Sequence, residues 1–119
     1  MSSIPAPTRV MFELTLAVRE DPDEDTGLYE SRCFQLGTAS CGSTIEEAIR
    51  NIREACDLEL SVFDTSSQLV NYLREHSVMV WTDGDAYREM DRMRGSSKWQ
   101  PEIGVLAMPA RFIRELTTA

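Results

Sequence analysis

The chain has little of what enzymatic chemistry usually requires. It carries one histidine, His76, and three cysteines, Cys33, Cys41 and Cys56, with no CxxC pair among them. A zinc site needs about four ligands at recognisable spacing, and none is present. No GxSxG, HExxH or Walker-type loop occurs, so the sequence offers no nucleophile–base pair and no phosphate cradle. No stretch approaches the roughly 18 apolar residues of a membrane span. The opening MSSIPAPTR has no charged region followed by an apolar run, so no secretory signal is expected and the cytoplasm is the default. In that reducing setting the thiols are expected to be buried and unpaired.

The rest of the composition is that of a folded protein. Length 119, 42% hydrophobic content and nine aromatic residues predict a single domain over 1–119 with one modest core. The net charge of −8 is uneven: residues 1–60 hold 12 acidic and 5 basic side chains, and residues 61–119 hold 8 and 7. Such an N-terminal half repels a phosphate backbone, which disfavours direct nucleic-acid binding. It suits a basic protein partner, or simply keeps the protein soluble.

Hydrophobic periodicity then places the elements. From Arg9 to Arg19, Val10, Phe12, Leu14, Leu16 and Val18 alternate with smaller or polar residues, which is a strand with one strongly apolar face. The other face carries little charge and is expected to be partly covered. The acidic EDPDEDTG that follows, Glu20 to Gly27, reads as a hairpin connection. Asp21, Asp23 and Asp25 alternate as a calcium loop would begin, but Thr26 and Arg32 stand where that loop wants glycine and glutamate. Leu28 to Leu36 alternates again, with Tyr29, Ser31, Cys33 and Gln35 on one face. Ala39 to Cys41 makes a short third strand of an antiparallel meander.

A helix starts at Ser43 or Thr44, either of which can cap it with Glu46 or Glu47 completing a capping box. Ile45, Ala48, Ile49, Ile52, Ala55, Cys56 and Leu60 form its apolar stripe. One helix across one face of a meander predicts an α+β two-layer sandwich with a β-β-β-α core and a three- to four-stranded antiparallel sheet. Further helices are expected in the C-terminal half: one capped by Asp64, Thr65 or Ser66, one from Asp85, and a short last one from Pro109 through Leu116. Val78 to Trp81 and Ile103 to Met108 read as strands.

The stretch Arg9 to Leu60 resembles the HicB-like antitoxin family. Tyr29 to Cys33 is similar to that family's second strand, and Gly37 to the glycine of its exit turn. Gly42, Ser43 and Thr44 resemble its Gly-polar-Thr lead-in, and Glu46, Glu47, Ala48, Ile52, Glu54 and Ala55 its helix signature. The prolines usual after the second strand are replaced by Phe34 and Leu36. On this resemblance residues 8–60 are the core, and residues 61–119 an extension packed on it or prolonging it. VLAMPARFIREL is similar to the strand, proline and first helix of a ribbon-helix-helix, but too little chain follows Ile103 for that module, so promoter binding is not expected.

The resemblance implies a non-enzymatic protein, without cofactor, that neutralises a small basic RNA-cleaving toxin of the HicA type by protein–protein contact. Candidate partner-binding residues are Glu20, Asp21, Asp23, Glu24 and Asp25 in the acidic loop, with Glu47, Glu54 and Asp57 on the helix's wet face. An alternative is a stand-alone acidic inhibitor of a nucleic-acid enzyme, of the kind a phage encodes; another is a HicB-fold protein with no toxin. The basic run Arg88, Arg92, Arg94 and Lys98 beside Trp99 is the one nucleic-acid-like feature, and Asp85, Glu89 and Asp91 dilute it. A homodimer is expected, since sheet edges need covering by edge pairing or a helix seam. His76, after Glu75 at a helix end, suits the helix dipole better than catalysis.

Overall fold

The computed structural model describes residues 7–82 and 104–117. The chain runs β1 (Thr8–Arg19), β2 (Tyr29–Cys33), β3 (Ala39–Gly42), α1 (Ile45–Leu60), α2 (Ser66–Glu75), β4 (Met79–Thr82) and β5 (Val105–Leu116). It is an α+β protein with an antiparallel sheet in which β1 pairs with β2, β4 and β5, and β2 pairs with β3. The described residues fall into two compact units. One holds Leu14–Leu60 and β5 up to Ala110; the other holds the chain up to Glu13, the segment from Ser61, and β5 from Arg111.

In the first unit the pairing is legible from side-chain alternation. Leu16 lies opposite Cys33 and Val18 opposite Ser31, and all four are buried. The core stripe of α1 recurs every fourth residue, at Ala48, Ile52, Cys56 and Leu60, each fully buried. Thr44 is its cap: Thr44 Oγ1 accepts the Glu47 N–H at 3.0 Å, and Ser43 Oγ donates to Glu47 Oε2 at 2.7 Å. Gly42 joins sheet to helix so tightly that a Cβ there would meet backbone, with Glu47 C at 2.8 Å, Ala48 Cα at 2.9 Å and Ala48 N nearer still.

Past its pairing with β2, the β1 ladder is continued by a side chain. Phe34 N–H donates to Thr15 O at 3.0 Å. The Thr15 N–H, which lacks a strand partner there, donates to Gln35 Oε1 at 2.8 Å, while Gln35 Nε2 donates to Thr15 Oγ1 at 3.2 Å. Buried or half-buried backbone donors must be satisfied, and here one glutamine does it.

The helix expected from Pro109 is not formed. Residues 105–116 are one strand, β5. The Glu20 N–H donates to Gly104 O at 3.0 Å, Phe12 stacks on Phe112 at 5.2 Å, and Arg9 and Glu13 pair with Glu115 and Arg111. Within each unit these contacts fit an antiparallel pairing of β5 with β1. Gly104 turns its carbonyl toward β1, and by alternation Pro109 turns its nitrogen away. Proline is tolerated in a strand where its missing N–H faces outward. Long-range pairing with β1 therefore overrides a local pattern that suits a helix. The expected helix from Asp85 lies outside the described residues.

In the second unit β1 lies between β4 and β5, with Met11 opposite Trp81. The helix α2 buries Leu69, Val70 and Leu73. Thr65 caps it in a full capping box with Gln68. At its other end Ser77 N–H donates to Arg74 O at 3.1 Å and Val78 N–H to Leu73 O at 2.9 Å, with Ser77 at φ 58°. That is a Schellman stop carried by serine where glycine is usual.

Candidate functional site

The acidic connection between β1 and β2 is a folded turn. Asp23 is its hub: Oδ1 accepts the Asp25 N–H at 2.9 Å and the Thr26 N–H at 3.0 Å. Its backbone closes the turn, with Asp23 N–H to Leu28 O and Gly27 N–H to Asp23 O, both at 2.8 Å. Gly27 takes the left-handed φ of 71° that the last step requires. Donation from Thr26 and then Asp25 holds the Asp23 carboxyl below its ordinary value. Asp23 is thus committed to the turn, whereas Glu20, Asp21, Glu24 and Asp25 are exposed. Beside them lies a shallow depression of about 620 Å³ bordered by Arg19 and Glu30, an exposed ion pair at 3.7 Å.

The helix acids are less uniform than their shared wet face suggests. Glu47 is occupied by Ser43. Glu54 and Asp57 are exposed. Arg88, Arg92, Arg94, Lys98 and Trp99 lie outside the described residues. His76 ends α2, its Nδ1 2.9 Å from Tyr72 O and its ring 4.2 Å from the Tyr72 ring, which in turn meets Phe63 at 4.8 Å. Its surroundings are those of a helix stop. Among the described residues no three His, Cys, Asp or Glu side chains gather as a metal site, and no helix is long and apolar enough to cross a membrane.

Two features escaped sequence reasoning. On the sheet face away from the buried Leu16–Cys33 pair, Arg32, Phe34, Ala17, Ala39, Cys41 and Val105 line a depression of about 550 Å³, with Phe34 50% exposed. Beneath the sheet, Cys33 and Cys56 meet. Cys33 Sγ donates to Gln35 Oε1 at 3.8 Å. Interaction between the two thiols lowers the Cys33 pKa to about 7 and pushes the Cys56 thiol up. The signal was present in principle: Cys33 sits on the core parity of β2 and Cys56 on the core stripe of α1.

No family model, no curated protein and no solved structure matches the chain. Fold and side chains alone therefore carry what can be said: an α+β protein that displays an ordered acidic turn.

Proposed function

We propose that this chain is a HicB-like, antitoxin-type protein that binds and neutralises a small basic RNA-cleaving toxin by protein–protein contact in the cytoplasm. The observation that carries the reading is the acidic turn. Asp23 spends its carboxylate on the backbone, so the turn is ordered before any partner arrives, and four neighbouring carboxylates stay in solvent. Pre-ordering lowers the entropy cost of association, and clustered charge of one sign speeds encounter with an opposite surface. The sequence resemblance over Arg9 to Leu60 and the β-β-β-α order of β1 to α1 lend support. Homodimerisation belongs to the same proposal. A helix seam suits it better than a sheet edge, because Leu58 on α1 is 71% exposed.

Co-expression with the neighbouring open reading frame tests the reading. A stable complex with a small basic protein, whose RNA cleavage stops on binding, is the expected result. Absence of any complex, with RNA cleavage unaffected, refutes it. The acidic turn is tested by Glu24→Lys with Asp25→Lys, which leaves the Asp23 hub in place. Association should slow by roughly tenfold or more and lose much of its salt dependence. Unchanged association at low salt removes the turn from the interface.

A further inference from the structure

We propose that the depression on the outer face of the sheet binds a small aromatic monocarboxylate, its carboxylate held by Arg32 and its ring lying against Phe34. The floor comes from the strand register. Arg32 stands between Ala17 of β1 and Ala39 of β3, its partners across the sheet, so a long side chain has a short one on either side. Ala17 is buried and Arg32 is exposed, which leaves open space above the alanines and beside the arginine stem.

Phe34 follows on the same face, half exposed, and stays in line with β1 because its N–H donates to Thr15 O at 3.0 Å. Residues two apart on a strand are separated by about 7 Å, so a guanidinium and a ring are presented side by side. The volume of about 550 Å³ is that of a small-ligand site.

Charge narrows the choice of ligand. Arg19 and Glu30 also border the depression, and they pair with each other at 3.7 Å. Arg32 makes no ion pair and no side-chain hydrogen bond among the described residues. A guanidinium offers two parallel N–H donors that match a carboxylate, and its plane accepts a flat neighbour. Glu30 and the nearby acidic turn repel further negative charge; the depression beside that turn shares Arg19, Glu30 and Val105 with this one. Phosphate esters, which carry about two charges at neutral pH, are therefore disfavoured. A single carboxylate on a flat apolar body satisfies Arg32, Phe34 and the alanine floor together. A guanidinium site does not suit the basic partner proposed above, so this ligand is an addition to that reading.

The test titrates the full chain with hydrocinnamate, in parallel with its neutral amide and with phenyl phosphate. Backbone N–H signals of Ala17, Arg32 and Ala39 should shift together in NMR spectra and give a Kd of about 1 mM or below. Cys41 lines the same depression and is exposed, whereas Cys33 and Cys56 are buried. Saturating hydrocinnamate should therefore slow alkylation of Cys41 by iodoacetamide, a neutral reagent. Arg32→Gln should weaken binding by about tenfold or more, the loss expected of a charge-assisted hydrogen bond. Phe34→Ala should weaken it by about threefold or more. Both positions are exposed, so both variants should keep the wild-type circular dichroism spectrum. Equal binding of the amide, tighter binding of phenyl phosphate, or unchanged affinity in either variant would overturn the proposal. So would the absence of both signal shifts and Cys41 protection well above that Kd. Shifts of the same signals on raising protein concentration without ligand would place a second copy of the chain in the depression, and would overturn it too.

Discussion

Gly42→Ala gives the sharpest test of how sheet and helix are joined. Glycine-to-alanine changes in ordinary backbone stabilise a protein by about 0.4–1 kcal/mol, because the unfolded chain has fewer states to lose. Gly42 has no positive φ that would oppose this gain. What opposes it is space: the new methyl would lie 2.8 Å from Glu47 C and 2.9 Å from Ala48 Cα, with Ala48 N in its way as well. Those atoms are backbone in the first turn of α1 and cannot swing aside as a side chain would. Overpacking of this kind costs about 1–3 kcal/mol, and rigid neighbours place it near the upper end. Less the entropic gain, the net loss is about 2 kcal/mol, or roughly 8 °C in melting temperature for a chain of this length. Thermal denaturation followed by far-UV circular dichroism measures it. Hydrogen exchange localises it, since the Ala48 N–H, bonded to Thr44 O at 2.9 Å, should exchange faster. Gly37→Ala is the contrast, with open space around its Cβ but a φ of 71°, so it should lose about 1 kcal/mol through strain. A Gly42→Ala protein that melts at or above the wild-type temperature refutes the close-approach argument, whatever Gly37→Ala does.

Two other expectations follow from single residues. Ser77→Gly should raise stability by about 1 kcal/mol, because it relieves an L-residue held at positive φ in the α2 stop; a lower melting temperature would show that the Ser77 side chain matters more than its backbone. The Asp23 carboxyl, held below its ordinary value of 3.8, orders its turn above that pH and releases it as pH falls through the lower folded value. Amide shifts of Asp25 and Thr26 should therefore titrate below the ordinary carboxylate midpoint, and a midpoint at or above 3.8 contradicts the hub geometry.

What the sequence revealed and what it concealed divide along the range of the interactions. The alternation from Val10 to Val18 and the stripe through Ala48, Ile52 and Leu60 are local patterns, and they correctly placed β1 and α1. The caps were legible to within a residue, as Ser43 or Thr44 and as Asp64, Thr65 or Ser66, because capping acts over three residues, and the structure selects Thr44 and Thr65. Pro109 misled because proline followed by Ala-Arg-Phe-Ile-Arg-Glu-Leu satisfies local helix rules, whereas a register with Arg9 to Glu20 decides the outcome. Gly42 was visible as a turn residue, but its reason for being glycine is clearance against a helix that begins three residues later. In the candidate site, the acidity of the loop could be read directly. That Asp23 serves the backbone while its neighbours do not depends on a turn geometry no charge count contains. The Cys33–Cys56 contact required β2 and α1 to be packed before it could be seen.

In the unit built around α1, the outer sides of β3 and β5 bear on how any partner can recognise the protein. Asn51 Nδ2 donates to the outward Cys41 O at 2.8 Å, so one backbone acceptor of β3 is already taken. On β5 the outward position at Pro109 has no donor to offer. Strand addition reads mainly backbone, and it accepts many sequences for that reason. Among the described residues, an occupied acceptor on β3 and a missing donor on β5 each weaken that indiscriminate kind of pairing. A partner must instead read side chains, and its choice becomes a matter of charge and shape that substitution can tune one residue at a time.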